Sequence, residues 1–352
     1  MMSLPSASGT GQRPLVITMG DPAGIGPEIV MSAIRRRPEL LGQVVVACDV
    51  PSLHRASNLV GAPGGRPGPT LVEIGELDDW SQRRANVLRV VQACARHEPV
   101  PFGLVSGTAG LAAAQCIAAA ARWTLQGRTL AMVTAPVHKE ALAMAGLAHP
   151  GHTEFLQALA AEHAGVGVDQ MPVRMMLSAP GLSTVLVSIH VSLRQALEAV
   201  TFAQVLETVR ITAAHFSRCG MPRARIAVAG LNPHAGEGGL FGREELDVIA
   251  PAIEQARSEG LIVSGPHPPD TVFMRARQGE FDVVVAMYHD QGLIPVKLLG
   301  LEHGVNTTLG LPLIRTSPDH GTAFDLAGTG QADPSSLLAA IDVALQMGKA
   351  VP

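Results

Sequence analysis

The stretch PLVITMGDPAGIGPEIV (residues 14–30) joins a β-branched apolar run to a turn rich in glycine and proline. It continues into Pro27 and Glu28, residue types favoured in the first turn of a helix. A strand that turns directly into a helix opens an α/β unit. The turn is a poor dinucleotide fingerprint. Gly24 and Gly26 supply the first two glycines of G-x-G-x-x-G, but Ile29 stands where the third belongs and Pro27 intrudes. Asp49, at the end of the next apolar run, would be the ribose acid of that motif and loses its role with it. The turn is then either a structural device or the border of a different kind of active site.

Outward from this stretch, further apolar runs of strand length follow: VVVACDV (44–50), LAMVTAP (130–136), STVLVSI (183–189), ARIAVAG (224–230) and FDVVVAM (281–287). Helical patterns lie at about 27–37, 110–125, 154–164, 195–218, 242–258 and 335–348. Continuous apolar runs separated by helices mark strands covered on both faces, so the fold class is α/β with a parallel or mixed sheet. The 352 residues suffice for one large domain or two ordinary ones. Proline and glycine interrupt the helical pattern in LAHPGHTE (147–154). The expected division is one domain of residues 14–148 with 300–352, and a second of 149–299. Residues 1–13 have neither a basic start nor an apolar core and read as a disordered leader. GAPGGRPGP (61–69) reads as an exposed loop.

The formal charge of −4 disfavours a nucleic-acid partner, which would ask for a basic excess. Cys48, Cys94, Cys116 and Cys219 form no C-x-x-C pair, which fits a reducing cytoplasm better than a disulfide framework. Residues 103–121 carry no charge, yet Gly, Ala, Ser and Thr dominate them. They read as a small-residue helix packed against a neighbour and not as a membrane span. Charged residues at 16% against 47% apolar ones suggest a buried subunit interface and a homo-oligomer. Of 26 basic residues only Lys139, Lys297 and Lys349 are lysines, and a lysine retained among arginines can mark a place for an adjustable ammonium.

Three histidines sit just beyond expected strands: His190, His234 and His289, the last beside Tyr288, the sole tyrosine. Each alone could be a bystander. Together they suit a divalent metal with an open catalytic position, since a structural zinc asks for four protein ligands. In GHTEFL (151–156), Thr153 is either a helix cap or part of an anion site with His152. The segment 297–328 reads as a binding loop that carries Lys297, Asn306, Arg315 and His320, with lysine and arginine poised to grip an anion.

In combination, GDPAGIGPE, TAPVHKEAL, GHTEFL, GLNPHAGEGGLFGREE, YHDQGLIPVKLLG and VNTTLGLPLIRTSPDHGTAFDLAG resemble the 4-hydroxythreonine-4-phosphate dehydrogenase family of pyridoxal phosphate biosynthesis, from about Pro14 to the C-terminus. The resemblance implies the two-domain isocitrate/isopropylmalate dehydrogenase-like fold, with NAD or NADP held by loops and not by a Rossmann turn. It implies one divalent ion (zinc, magnesium, manganese or cobalt) on His190, His234 and His289, with the ligands drawn from both subunits of a cytoplasmic homodimer. It implies substrate contacts from His152, Thr153, Lys297, Asn306 and Arg315, cofactor contacts from His320 and Asp325, and proton handling by Lys297 or Asp290. The expected reaction oxidises 4-hydroxythreonine 4-phosphate to a β-keto acid that loses carbon dioxide to give 3-amino-2-oxopropyl phosphate. The 4-phosphates of threonate or erythronate, or a cyclic dihydrodiol carboxylate, are alternative substrates. A three-histidine hydrolase or aldolase without nicotinamide is the remote alternative, and no membrane or nucleic acid takes part.

Overall fold

The structure, a computed structural model, describes residues 13–61, 67–80, 86–147, 149, 151–300 and 303–350. The leader expected over 1–13 falls outside these residues except for Arg13, as does the centre of the 61–69 loop. Among the described residues twelve strands form one sheet: β1 (Leu15–Thr18), β2 (Val44–Cys48), β3 (Thr70–Glu73), β4 (Val87–Gln92), β5 (Met132–Thr134), β6 (Arg174–Ala179), β7 (Leu182–Leu186), β8 (Ile226–Ala229), β9 (Val263–His267), β10 (Val283–Ala286), β11 (Val305–Leu309) and β12 (Arg315–Pro318). Their spatial order is β3-β4-β2-β1-β5-β12-β11-β6-β7-β10-β8-β9. This is the expected mixed α/β architecture, without the strand order of a Rossmann fold.

The helices are α1 (Gly26–Arg36), α2 (Val50–Leu59), α3 (Gly107–Leu125), α4 (Lys139–Met144), α5 (His152–Ala164), α6 (Leu193–Ala199), α7 (Phe202–Arg218), α8 (Ala250–Ser258), α9 (Val272–Arg277), α10 (His289–Lys297) and α11 (Ser335–Ala350). The single helix expected over 195–218 is instead two. Thr201 starts the second by accepting a hydrogen bond from the Gln204 amide, and Ser192 with Gln195 forms a capping box on the first.

Strands β3, β4, β2, β1, β5 and β12 are mutually parallel, whereas β12–β11, β11–β6 and β6–β7 are antiparallel. Strands β7, β10, β8 and β9 therefore run opposite to the first six. The carboxyl ends of the two parallel groups point to opposite edges of the sheet, and the direction reverses through β11 and β6. In the second half the period of two distributes the core: Val283 and Val285 enter one apolar cluster, Val284 and Ala286 another. The first half has one large core, to which Leu156 and Ala160 of α5 and Leu337, Ile341 and Leu345 of α11 also belong.

The segment 297–328 departs from the loop reading. It contains β11 and β12, at the middle of the sheet, and Thr307, Thr308, Arg315 and Thr316 are at most 2% exposed. Their polarity hid them as strands, and the site they line explains it.

Helix α3 is the small-residue helix anticipated from 103–121, and among the described residues no helix is long and apolar enough to cross a membrane. Ala109, Ala112, Ala113, Ala120 and Ala121 are buried along it. A Cβ on Gly110 would collide with the Ala141 carbonyl oxygen of α4, so glycine here sets the distance between two helices. Helix propensity favours alanine over glycine by about 1 kcal/mol, but forced overpacking costs about 1–3 kcal/mol and displaces α4, which begins with Lys139. Denaturant unfolding of Gly110→Ala should therefore show a net loss of stability with reduced activity; an unchanged midpoint would contradict the close contact.

Candidate active site

A cavity of about 800 Å³ spans one face of the sheet where the strand direction reverses. Thr134 on β5, Arg315 and Ser317 on β12, Asn306 on β11 and Met175 on β6 line it, from four adjacent strands. The register sets their neighbours: Asn306 lies opposite Ser317 on one side and Leu177 on the other, and Thr308 opposite Met175. Arg315 is the floor of the cavity. It is 2% exposed, and its guanidinium donates to Thr134 Oγ1 through Nη2 (2.7 Å) and Nε (3.1 Å) and to Thr308 Oγ1 through Nη1 (3.2 Å). Among the described residues no carboxylate pairs with it. Burial lowers its pKa to about 10, which still leaves it charged at neutral pH.

Around this cation stand Lys139, Lys297, His152, Thr153, Glu154, His190 and His289. Two of the three lysines in the chain thus face one cavity. Lys297 Nζ lies 2.9 Å from Asp319 Oδ2. His152 is held well below the ordinary histidine pKa, by burial first and by Arg315 second, and its Nε2 is buried without a partner. Gly151 stands at the cap position before α5 and has no side chain to cap it; Thr153, the second residue of the helix, is not the capping residue, and its hydroxyl is free for the cavity. The open amides of that first turn add partial positive charge.

His190 and His289 approach with ring centroids 5.7 Å apart. Burial, then Lys139 and His289, lowers the His190 pKa. His289 Nδ1 donates to Asp290 Oδ1 at 2.7 Å, which directs the Nε2 lone pair outward, the pattern of an oriented metal ligand. His234 does not line this cavity within the chain. It faces a neighbouring one of about 810 Å³, with Tyr288 and Asp290. His234, Ala235 and Glu237 hold φ of 54°, 54° and 44°, a conformation that costs about 1–2 kcal/mol for each residue with a Cβ. Glu245, 2% exposed, holds this turn by accepting from the Leu231 and Asn232 amides (2.7 Å each) and from Asn232 Nδ2 (2.9 Å). Such a locally strained histidine is the mark of a positioned side chain.

The opening stretch of the sequence borders the same site. Glu28, 1% exposed, accepts from the Gly328 (2.5 Å) and Gly330 (2.8 Å) amides, and the Ile25 amide donates to the Thr322 carbonyl (3.0 Å). A Cβ on Gly24 would stand 2.9 Å from that carbonyl, so the glycine serves close backbone approach. The loop 319–330 is thereby tied to the turn 20–26. His320 reaches the cavity rim, and Asp325 is exposed on the same loop. Asp49 is no ribose acid: its carboxylate caps α2 through the Ser52 amide. Beside the loop, Asp21 Oδ2 and His138 Nδ1 are buried and unpartnered, and His138 stacks on Phe324 at 4.8 Å. Polar atoms left open around a pinned loop suit a polar cofactor.

Glu154 and Thr134 join the site without having been singled out from the sequence. The scarcity of lysine already pointed at Lys139. Glu28 was legible only as a first-turn helix residue, because the amides it holds lie 300 and 302 residues away, and Glu245 was not singled out although its partners Leu231 and Asn232 lie 13–14 residues before it.

A sheet-face cavity built on an unpaired buried arginine, with lysines, oriented histidines and a pinned glycine-rich loop, defines an α/β enzyme for a small anion. The profile of the family described as "Pyridoxal phosphate biosynthetic protein PdxA" matches residues 41–344. A 4-hydroxythreonine-4-phosphate dehydrogenase of Beijerinckia indica is 49% identical over 340 residues, 97% of this chain and 96% of that one. A D-threonate 4-phosphate dehydrogenase of Salmonella typhimurium is 43% identical over 338 residues, 95% of this chain and 99% of that one. The crystal structure of 4-hydroxythreonine-4-phosphate dehydrogenase from Klebsiella pneumoniae matches with a TM-score of 0.83 at 41% identity, covering 97% of this chain and 99% of that one. The chain belongs to the PdxA family of pyridoxal phosphate biosynthesis. It is an oxidoreductase, and membership of a dehydrogenase family implies a nicotinamide cofactor.

Burial keeps His152 neutral, and it also lowers the His215 pKa, to about 4. The unfolded chain takes up these protons as pH falls below about 6.5, while the folded chain does not. Stability is thus full above the unfolded value and is lost as the pH drops towards the folded ones. His152→Asn, neutral throughout, should make this decline measurably shallower; an unchanged slope would show that His152 charges freely in the folded state.

Proposed function

We propose that this enzyme uses NAD and a divalent metal to oxidise 4-hydroxythreonine 4-phosphate, in the cytoplasm and as a homodimer. The observation that carries the reading is Arg315, a buried guanidinium without an acid, which calls for an anionic ligand; Lys139 and Lys297, the latter paired with Asp319, add positive charge around it. His152, Thr153 and Asn306 complete the grip on the substrate. Lys297, which faces the cavity, handles protons at Nζ, while Asp290 is engaged with His289 and acts as its orienting partner.

His190, His234 and His289 would hold the metal, and His320 and Asp325 the adenosine half of the cofactor. When bound, the divalent ion supplies Lewis acidity towards the secondary hydroxyl and the later enolate, and the nicotinamide accepts the hydride. Oxidation of that alcohol carbon gives a β-keto acid, which loses carbon dioxide and takes one proton at carbon, for which Lys297 Nζ is the source. The product is 3-amino-2-oxopropyl phosphate. Exposed apolar side chains flank each histidine: Val191 (51%) and Leu193 (62%), Leu240 (73%), and Ile294 (53%) and Leu298 (81%). A second subunit on this surface would cover them and allow His234 to share a metal with histidines of the partner.

The Salmonella relative favours a second reading, D-threonate 4-phosphate, which has a hydroxyl where 4-hydroxythreonine phosphate has an ammonium. Glu154 favours the ammonium, since it is a carboxylate in the cavity that no ion pair engages among the described residues.

Initial rates with NAD on the 4-phosphates of 4-hydroxythreonine, threonate and erythronate, and on an unphosphorylated dihydrodiol acid, test the assignment. The first should be preferred. Arg315→Lys keeps a charge but loses the fork, and two lost charge-assisted bonds should cost about 10²–10⁴-fold in kcat/KM on phosphorylated substrates. Equal loss on the unphosphorylated acid would mean that Arg315 binds a carboxylate. Glu154→Gln should raise KM for 4-hydroxythreonine 4-phosphate and leave that for threonate 4-phosphate nearly unchanged; parallel changes would remove Glu154 from ammonium recognition.

A further inference from the structure

We propose that Asp49, Cys94 and His97 form a second metal site, for a thiophilic divalent ion such as zinc, separate from the active-site cavity. The parallel pairing of β2 and β4, with Cys48 opposite Gln92, brings the ends of the two strands together. The next residues then converge: Asp49 at the start of α2, and Cys94 and His97 on the loop after β4. One ligand atom from each lies within 4.8 Å of the other two. None of the three lines the active-site cavity.

The hydrogen bonds around the cluster orient all three donors inward. His97 Nδ1 lies 2.8 Å from the Glu98 carbonyl oxygen, an acceptor, so Nδ1 carries the proton and Nε2 the lone pair. That Nε2 is buried with no partner, 4.0 Å from Asp49 Oδ2. The Asp49 carboxylate is fixed by donors on its other sides, from Gln92 Nε2 to Oδ1 (3.1 Å) and from the Ser52 amide (3.1 Å) and hydroxyl (2.8 Å) to Oδ2. Gln92 Nε2 also bonds the Cys94 carbonyl oxygen at 2.9 Å, which ties the cysteine loop to the carboxylate. Gln92 Nε2 lies 3.5 Å from Cys94 Sγ as well, so one amide group braces both the carboxylate and the sulfur, and the unpartnered His97 Nε2 lone pair faces them.

This arrangement suits a cation. The N, O and S donor set is a zinc set, and tetrahedral zinc places its ligands roughly 3.3–3.8 Å apart, so the site closes with a contraction of about 1 Å between donors. A water completes the fourth position; Cys116, whose thiol contacts Cys94, is fully buried and its pKa is pushed well up, which disfavours it as a thiolate ligand. The loop residues Ala95, Arg96 and Glu98 are exposed, so an ion can enter from solvent. The outer partners Gln92 and Ser52 play the orienting role that metal ligands need. Three of the four cysteines therefore gather here, although their sequence spacing gave no metal motif.

The active-site histidines offer no sulfur, so a thiolate signature distinguishes the two sites. Full-length protein, reduced and stripped with chelator, is titrated with Co²⁺ while thiolate-to-cobalt charge-transfer absorption and bound metal per chain are recorded. The wild type should develop the near-ultraviolet band, Cys94→Ser should lose it with one equivalent of metal, and His190→Ala should retain it. His97→Ala should weaken cobalt binding at this site by more than the roughly 10–100-fold that loss of an outer partner costs. No band in the wild type, or a band that survives Cys94→Ser, would overturn the proposal, whatever the activity of the enzyme.

Discussion

A guanidinium buried at the centre of a twelve-stranded sheet, bonded to two threonine hydroxyls and to no acid among the described residues, is the constraint that organises this molecule. Burying a charge costs several kcal/mol even after relaxation. Thr134 and Thr308 take three of the five N–H groups of Arg315 and do not neutralise it. The rest is left to a ligand, and a low-dielectric wall strengthens the attraction felt by an anion that enters. A chain with net charge −4 thereby concentrates Arg315, Lys139 and Lys297 in one place.

The reversal of strand direction makes room for this arginine. In a uniformly parallel sheet the strand interiors are apolar on both faces and chemistry is confined to the carboxyl edge. Here the two parallel groups meet through the antiparallel strands β11 and β6, and Asn306, Ser317, Arg315 and Thr134 line the face above that junction beside apolar side chains such as Met175. Loops from opposite edges then reach the same cavity: 187–191 after β7, and 319–321 after β12. Glu28 and Glu245 serve as fixed points, each satisfying backbone amides of a loop that carries a candidate ligand or cofactor contact.

The strands that were legible in the sequence are those whose two faces are both apolar, such as Leu15–Thr18 and Val283–Ala286. Val305–Leu309 and Arg315–Pro318 were illegible as strands because one face of each meets a polar cavity, and residues chosen for that cavity look like a loop. The same polarity made Asn306 and Arg315 legible as candidate site residues. His190 and His289 share the strand-end address that singled them out, and they do meet. His234 shares it too, yet within one chain it opens on a neighbouring cavity, because strand β8 lies beyond β10 and no local pattern encodes that order. The cluster of Asp49, Cys94 and His97 was hidden for a similar reason: the parallel pairing of β2 with β4 brings it together, and the spacing along the chain does not.

The central claim is that the anion of the substrate completes Arg315. A crystal structure of the enzyme with 4-hydroxythreonine 4-phosphate bound tests it most directly. The account predicts phosphate oxygens within hydrogen-bond distance of the Arg315 guanidinium, in the cavity shared with Lys297, His152 and Thr153. A phosphate seated elsewhere, with Arg315 still bonded to Thr134 and Thr308 alone, would contradict it.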